Sequence, residues 1–272
     1  MQQFVCREKH YYNDKIYIMG ILNVTPDSFS DGGDFYAVDD AVARALQMQE
    51  DGADFIDIGA VSTRPGSILV GEAEEAERLL PVLNALQGKM RVPISVDTFR
   101  PRIAEFALQA GAYIINDVSG FSAEMAAVVK RYHAGWILMH SAGAAATEMQ
   151  YDNGVVCAVQ KCFDDFVDGA DACGVLREQL MLDPGFGFSK DTQQNKELLE
   201  KLKELDTHGS FLLTALSRKR FIGELTGAGE PKDRLEGTLQ FNRMAISQGS
   251  CVLRVHDVRE HKAMIERYYK YG

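Results

Sequence analysis

The stretch IYIMGILNVTPDSFSDGG (16–33) joins an apolar strand to a polar loop, and this junction decides the fold. Residues 16–22 are almost entirely apolar, which predicts a strand buried on both faces, as in a parallel sheet. The loop that follows contains one Pro, two acids, three hydroxyl residues, a Phe and a Gly pair. Its polar groups would lose hydrogen bonds on burial, so we interpret it as a surface loop that meets a ligand.

Strand-like and helix-like segments alternate along the whole chain. The strand-like runs lie near 16–22, 54–58, 92–96, 112–115, 136–139, 180–182, 211–214 and 251–255. The helix-like runs lie near 39–50, 72–88, 101–109, 122–132, 155–173, 191–205, 230–247 and 257–270. Asp39 and Ser122 are predicted to begin helices, and Gly52, Gly111 and Gly174 are predicted to end them.

Eight βα units in 272 residues predict an α/β fold of the TIM (β/α)8 barrel type. That fold typically needs about 250 residues. A doubly wound open sheet is the alternative, but its dinucleotide-binding form has a GxGxxG loop after the first strand, which NVTPDSFSDGG (23–33) is not. No linker interrupts the pattern, so we interpret residues 1–272 as a single domain. Residues 1–15 precede the first barrel strand, and a small hairpin covering the bottom of the barrel is one form that they can take.

Composition narrows the function classes. The net charge of −10 argues against a nucleic-acid partner, because phosphate binding needs a basic surface. No apolar run approaches the roughly 20 residues that span a membrane, and the N-terminus MQQFVCREKH has no apolar signal core, so we expect a cytoplasmic protein. The five Cys, with no CxxC pair, indicate reduced thiols rather than a disulfide or zinc framework.

Polar residues stand at the same end of every predicted strand. They are Asn23, Asp57, Asp97–Thr98, Asn116–Asp117, His140, Asp183, Ser217–Arg220 and Arg254–Asp257. In a barrel these positions converge on the C-terminal face, where active sites lie. One such acid is more often a turn residue or a cap, but eight polar strand endings on one rim are typical of a site. Acids buried there would destabilise the barrel unless something pairs with them.

The basic side chains suit one half of a ligand. Donors able to meet a phosphate or diphosphate are Arg64, Lys219, Arg254 and His256. Asn23 offers an oxygen suited to Mg²⁺, which prefers few protein ligands together with waters and phosphate oxygens.

The acceptors suit the other half. Asp97, Asn116 and Asp183 match a flat, donor-rich heterocycle such as a pterin, whose amino-pyrimidinone edge presents two parallel N–H groups. Phe188 stands beside Gly185 and Gly187. It either places its ring on the heterocycle or packs in the core.

The first loop resembles, almost letter for letter, the signature loop of the dihydropteroate synthase family. Further similar blocks are DIGAVSTRPG (57–66), SVDT (95–98), INDVSG (115–120), LMH (138–140), LDPGFGFSK (182–190), SRK (217–219) and LRVHDV (253–258). The resemblance implies a TIM barrel and a transferase of folate biosynthesis, the target of sulfonamides. The implied reaction joins 6-hydroxymethyl-7,8-dihydropterin diphosphate to p-aminobenzoate with Mg²⁺ bound, giving 7,8-dihydropteroate and diphosphate. It also implies a homodimer formed through the late helices.

The resemblance assigns roles residue by residue. The implied pterin-binding residues are Asp97, Asn116, Asp183, Lys219 and Arg254, to which the residue chemistry adds Phe188. The implied diphosphate-binding residues are Asn23, which also holds Mg²⁺, Arg64, Arg254 and His256. The implied p-aminobenzoate-binding residues are Phe29, Thr63 and Pro65. Asp31 is expected to stabilise positive charge at the reacting methylene, and the implied catalytic residues are Asp31, Lys219, Arg254 and His256.

Arg220 departs from the family pattern, in which many members have a Ser that contacts the aminobenzoate carboxylate. It either binds that carboxylate itself or leaves it to backbone N–H groups. Two other functions stay open. One is a methyltransferase that passes a methyl group from methyltetrahydrofolate to a corrinoid protein, and the other is a non-catalytic pterin binder.

Overall fold

The computed structural model describes residues 2–24, 34–61, 70–141 and 149–271. Eight parallel strands close into a barrel in the order β10-β3-β4-β5-β6-β7-β8-β9. They are β3 Tyr17–Asn23, β4 Phe55–Gly59, β5 Ile94–Asp97, β6 Ile114–Asp117, β7 Gly135–Met139, β8 Leu180–Asp183, β9 Phe211–Thr214 and β10 Val252–Val255. The predicted TIM barrel, and each of its strands to within about two residues, is therefore confirmed.

Helices follow the barrel strands and cover their outer faces. They are α1 Asp34–Glu50, α2 Glu72–Leu86, α3 Pro101–Gln109, α4 Ala123–Tyr132, α5 Val155–Cys173, α6 Thr192–Glu200, α7 Arg220–Thr226, α8 Leu235–Ser247 and α9 Val258–Tyr271. Ser122 caps α4 as predicted, because its hydroxyl accepts the Met125 N–H at 3.2 Å. No helix in the described ranges is both long and apolar enough to cross a bilayer.

Two helix predictions are wrong in detail. Asp39 does not begin α1, which starts at Asp34 and therefore has Asp39 in its interior. The helix α7 was not predicted at all, and only the later α8 was. Seven residues make about two turns, too few for a 3.6-residue periodicity to be detected and too few to be stable outside a protein.

Strand register brings the polar strand endings to one height. Asn23 pairs with Gly59, Gly59 with Asp97, and Asp97 with Asn116. Farther around the barrel, Met139 pairs with Asp183. The polar residues at the ends of these strands therefore lie on one C-terminal rim.

The opposite end of the barrel is closed by an N-terminal hairpin, β1 Gln3–Cys6 and β2 Lys9–Tyr12. Its Phe4 is fully buried, with its ring centroid 5.8 Å from that of Phe211 and 6.4 Å from that of Phe55. Burying one such side chain contributes about 1.5–3 kcal/mol. The hairpin thus supplies core that the barrel strands alone lack, at the end away from the polar rim.

Candidate active site

A buried arginine holds two acids at the rim. Arg254, in β10, donates from Nε to Asp57 Oδ2 at 2.6 Å and from Nη2 to Asp97 Oδ2 at 2.9 Å. Asp57 is fully buried, whereas the Asp97 side chain is 11% exposed and that of Arg254 is 17% exposed. Arg254 is therefore the cationic partner that these acids require. It is 157 residues farther along the chain than Asp97.

Asp57 also holds Asn116, a contact that the sequence reasoning missed. Its Oδ2, which accepts from Arg254, also accepts the Asn116 Nδ2–H at 2.9 Å. This bond leaves the amide oxygen of Asn116 as the atom that can accept from a ligand. The signal available in the sequence was that Asp57 stands near the end of the predicted strand 54–58. Only the fold shows that Asp57 lies in the middle of β4 and contacts two predicted pterin-binding residues, Asn116 and Arg254.

The site contains hydrogen-bond acceptors that no described donor meets. Asp57 Oδ1 and Asp97 Oδ1 are buried with no hydrogen-bond partner among the residues that the structure describes. A buried acceptor left unpaired costs about 1–3 kcal/mol. The rim is therefore suited to a ligand that brings N–H donors.

Burial perturbs the acids of the site. It raises the pKa of Asp97 to about 7; Arg254 opposes the shift, and the charges of Asp57 and Asp117 reinforce it. Burial also raises the pKa of Asp183, against the opposing effects of Lys219 and of the Gly185 N–H, which donates to Asp183 Oδ1 at 2.8 Å. Each carboxyl is thus easier to protonate than a free one, as expected where donors are too few.

Lys219 crosses the loop that follows β8. Its Nζ lies 4.2 Å from the centroid of the Phe188 ring and donates to the carbonyl of Phe186. A Cβ on Gly187, whose φ is +75°, would lie 2.7 Å from Lys219 Cδ, so this position needs a glycine. Phe186 is fully buried and packs in the core, whereas Phe188 is half-buried beneath Lys219.

A buried lysine supports the same loop from below. Lys190 Nζ donates to the carbonyls of Gly185 at 2.9 Å and Phe188 at 3.1 Å, and lies 2.8 Å from His140 Nδ1. Burial lowers the pKa of Lys190 to about 7 against the raising effect of Asp183. Burial, reinforced by Lys190, lowers the pKa of His140 to about 3. His140 is therefore a neutral acceptor that helps to hold the loop.

The predicted diphosphate residues lie on neighbouring strands. Asn23 ends β3, and His256 directly follows β10, which pairs with β3. In the described ranges, no three His, Cys, Asp or Glu side chains come together as a metal cage would require.

Arg220 is the first residue of α7. Its side chain is 73% exposed, and its Nε lies 3.1 Å from Glu224 Oε1, one turn along the helix. It is therefore on the open side of the rim. The predicted residues Phe29, Asp31, Thr63, Arg64 and Pro65 lie outside the described residues.

Known proteins are similar to this chain in sequence and in fold. Residues 19–256 match the family described as pterin binding enzyme. The dihydropteroate synthase of Synechocystis sp. is 45% identical over 251 residues, 91% of this chain and 87% of that protein. The structure of Xanthomonas albilineans dihydropteroate synthase with 4-aminobenzoic acid has a TM-score of 0.92 at 39% identity, covering 99% of this chain and 97% of that one. Thermus thermophilus dihydropteroate synthase in complex with 6HMPPP has a TM-score of 0.87 at 36% identity, covering 100% of both chains.

Proposed function

The chain belongs to the dihydropteroate synthases of the pterin-binding enzyme family, and from this premise we propose how its residues perform the reaction. It condenses 6-hydroxymethyl-7,8-dihydropterin diphosphate with p-aminobenzoate, giving 7,8-dihydropteroate and diphosphate. The observation that carries the proposal is the buried set of acceptors at the rim, of which Asp97 Oδ1 has no partner in the described part of the chain.

The pterin binds across the ends of β5, β6 and β8. Asp97 and Asp183 accept from its paired N–H groups, and the amide oxygen of Asn116 accepts from a further donor. Lys219 and Phe188 lie over the ring, and Arg254 stays in place through its bonds to two acids. The pterin thus brings donors to acceptors that are already desolvated, which favours it over water.

The diphosphate binds beside Asn23, Arg64, Arg254 and His256. Asn23 fits Mg²⁺, because its amide oxygen can serve as one of the few protein ligands of an ion that also takes phosphate oxygens and waters. Asn23 would hold it, and when bound it would neutralise charge on the diphosphate. The arginines and the histidine donate to the same oxygens, so the negative charge that develops on the leaving group is already balanced.

The bond between the methylene carbon and the diphosphate oxygen breaks first, and its electron pair leaves with the diphosphate. The electron-rich dihydropterin spreads the resulting positive charge, and Asp31 stabilises it. The aniline nitrogen of p-aminobenzoate then attacks the methylene and loses a proton to solvent. We assign no general base, because this nitrogen is neutral and nucleophilic at neutral pH.

The p-aminobenzoate ring is assigned to a pocket lined by Phe29, Thr63 and Pro65. Its carboxylate is assigned to Arg220, whose exposed side chain would exchange Glu224 for the substrate. Arg220 is at the open side of the rim, where a second substrate can enter after the pterin has bound.

The decisive experiment follows both products of the purified chain. With the pterin diphosphate and p-aminobenzoate, we expect diphosphate release to match dihydropteroate formation measured by mass spectrometry. Asp183→Ala should lose pterin binding in calorimetry while it keeps the circular dichroism of the wild type. Methyl transfer from methyltetrahydrofolate to a corrinoid protein, or pterin binding without turnover, would overturn the proposal in favour of the two alternative functions.

Assembly and location complete the proposal. We infer a homodimer formed through the late helices from the membership of the family, and Leu225 in α7 and Tyr269 in α9 are exposed apolar side chains on these helices. Light scattering after size exclusion should give twice the chain mass of 30.2 kDa. We place the enzyme in the cytoplasm, which cell fractionation with an antibody against the chain will test.

A further inference from the structure

Two contacts join Ser217 to His256 across the ends of β9 and β10. Ser217 Oγ accepts the backbone N–H of His256 at 3.2 Å, and the same oxygen lies 3.0 Å from His256 Nδ1. Ser217 is buried. The serine therefore meets the histidine at both its backbone and its ring.

The number of hydrogens available decides whether Ser217 Oγ donates to His256 Nδ1 or accepts from it. A hydroxyl has one hydrogen to donate, and its oxygen can accept from two donors. If Ser217 accepted from both the backbone N–H and a protonated Nδ1, its own hydrogen would need another acceptor. The described residues offer Ser217 Oγ none besides the ring of His256. Donation from Ser217 Oγ–H to Nδ1 gives that hydrogen an acceptor, and it requires the neutral ring to carry its proton on Nε2.

A neighbouring ion pair keeps this geometry in place. Arg218 Nε donates to Asp257 Oδ2 at 3.0 Å, and its Nη2 contacts the other carboxylate oxygen. Arg218 has a φ of +59°, in the left-handed region that residues other than glycine seldom adopt. The residues that follow Ser217 and His256 are thus tied together as well.

We propose that Ser217 is a positioning residue that holds the neutral imidazole of His256 as the Nε2–H tautomer, so that Nε2–H donates to the diphosphate. The proposal rests on the function proposed above for His256. It gives the leaving group a donor at neutral pH without a charged ring, and it makes that donor ready before the substrate arrives.

The first test reads the tautomer directly by ¹⁵N NMR with ring-labelled histidine, assigning His256 by its loss in His256→Gln. At pH 8 and without ligand, the wild type should show Nε2 protonated and Nδ1 bare. Ser217→Ala should give a mixture of tautomers, and Ser217→Thr, which keeps the hydroxyl, should restore the wild-type signals. Nδ1–H in the wild type, or an unchanged tautomer in Ser217→Ala, overturns the proposal. The wild-type spectrum decides even if the alanine variant fails to fold.

The second test separates the two halves of the substrate. Ser217→Ala should raise the KM for the pterin diphosphate about three- to tenfold, as expected for one lost hydrogen bond. The Kd of 6-hydroxymethylpterin, which lacks the diphosphate, should stay unchanged. Ser210→Ala is the matched control, because Ser210 is also buried but donates to the Arg177 carbonyl at 3.1 Å before β9 begins. Equal weakening of both ligands overturns the proposal. If the wild type releases no diphosphate, the proposed function is wrong. The NMR result is independent of turnover and still decides whether Ser217 sets the tautomer of His256.

Discussion

Asp57 decides the geometry of the pterin site, although it is not itself assigned to the pterin. One of its oxygens receives both Asn116 Nδ2 and Arg254 Nε, at 2.9 and 2.6 Å. Asn116 and Arg254, both assigned to the substrate, are therefore held by the same oxygen of Asp57. Removing that support takes an acceptor from an amide and from a guanidinium together, so both lose the contact that orients them.

We therefore expect Asp57→Ala to weaken pterin binding by about tenfold or more and to lower the free energy of unfolding by about 3–5 kcal/mol. Calorimetry with the pterin and urea unfolding measure the two effects. Asp54→Ala is the control, because Asp54 precedes the other end of β4 and pairs with Lys15 at 3.0 Å. It should lose stability but keep its pterin affinity. Unaltered pterin affinity in Asp57→Ala would show that Asn116 and Arg254 orient themselves.

Asp97 makes stability depend on pH. Its folded-state pKa of about 7 lies above the ordinary value of 3.8, mainly because it is buried. The folded state then holds a proton that the unfolded state has lost, so the free energy of unfolding falls as pH rises from about 4 to about 7. Asp97→Asn cannot lose that proton. We expect the Tm of Asp97→Asn minus that of the wild type to become more positive across this window, measured by calorimetry without ligand. A constant difference would contradict the shift.

At the scale of elements, two loops depend on one ion pair. The Arg218–Asp257 pair joins the loop that precedes α7 to the start of α9, next to Lys219 and His256. A double-mutant cycle of Arg218→Ala and Asp257→Ala should give a coupling energy above about 1 kcal/mol, and each single variant should lower kcat/KM for the pterin diphosphate. The pair Arg91–Glu50, exposed on both sides, is the control and should couple by less than about 1 kcal/mol, with kcat/KM unchanged. Equal coupling in the two pairs would refute the positioning role.

Arg220, the first residue of α7, is assigned to the carboxylate of p-aminobenzoate. Arg220→Ala should raise the KM for p-aminobenzoate up to about fivefold, the limit set by one exposed charge pair. Glu224→Gln should lower that KM, because it removes the negative charge that lies 3.1 Å from Arg220 and competes with the substrate. The pterin KM should change in neither variant. If steady-state kinetics show no change of the aminobenzoate KM in both variants, backbone N–H groups hold the carboxylate instead.

For the whole molecule, stability and catalysis lie at opposite ends of the barrel. Phe4→Ala removes a buried ring from the hairpin end and should cost about 3–5 kcal/mol of unfolding free energy. At a temperature where the variant stays folded, kcat/KM should equal that of the wild type. Tyr12→Ala, on the same hairpin but 43% exposed, should cost far less in urea unfolding. A loss of activity in folded Phe4→Ala would mean that the two ends are coupled.

The sequence by itself determined the barrel and the membership of its rim. Alternating apolar runs predict eight buried strands, and in a parallel barrel every strand ends on the same side, so Asp97, Asn116 and Asp183 must share one face whatever the details of packing. Local chemistry also determined the N-cap at Ser122. These inferences depend only on periodicity, on chain order and on what a residue type can do.

Only the tertiary structure decided which side chains of the rim touch. Asp57 and Arg254 are 197 residues apart, and Ser217 and His256 are 39 apart. The local sequence around these residues does not predict which residue each one contacts, because the contact depends on the strand register and on the direction of each side chain. The short helix α7 likewise gains its stability from packing and not from its seven residues. The residues that support the site are therefore decided by three-dimensional packing, whereas the residues that meet the ligand are already visible in the order of the chain.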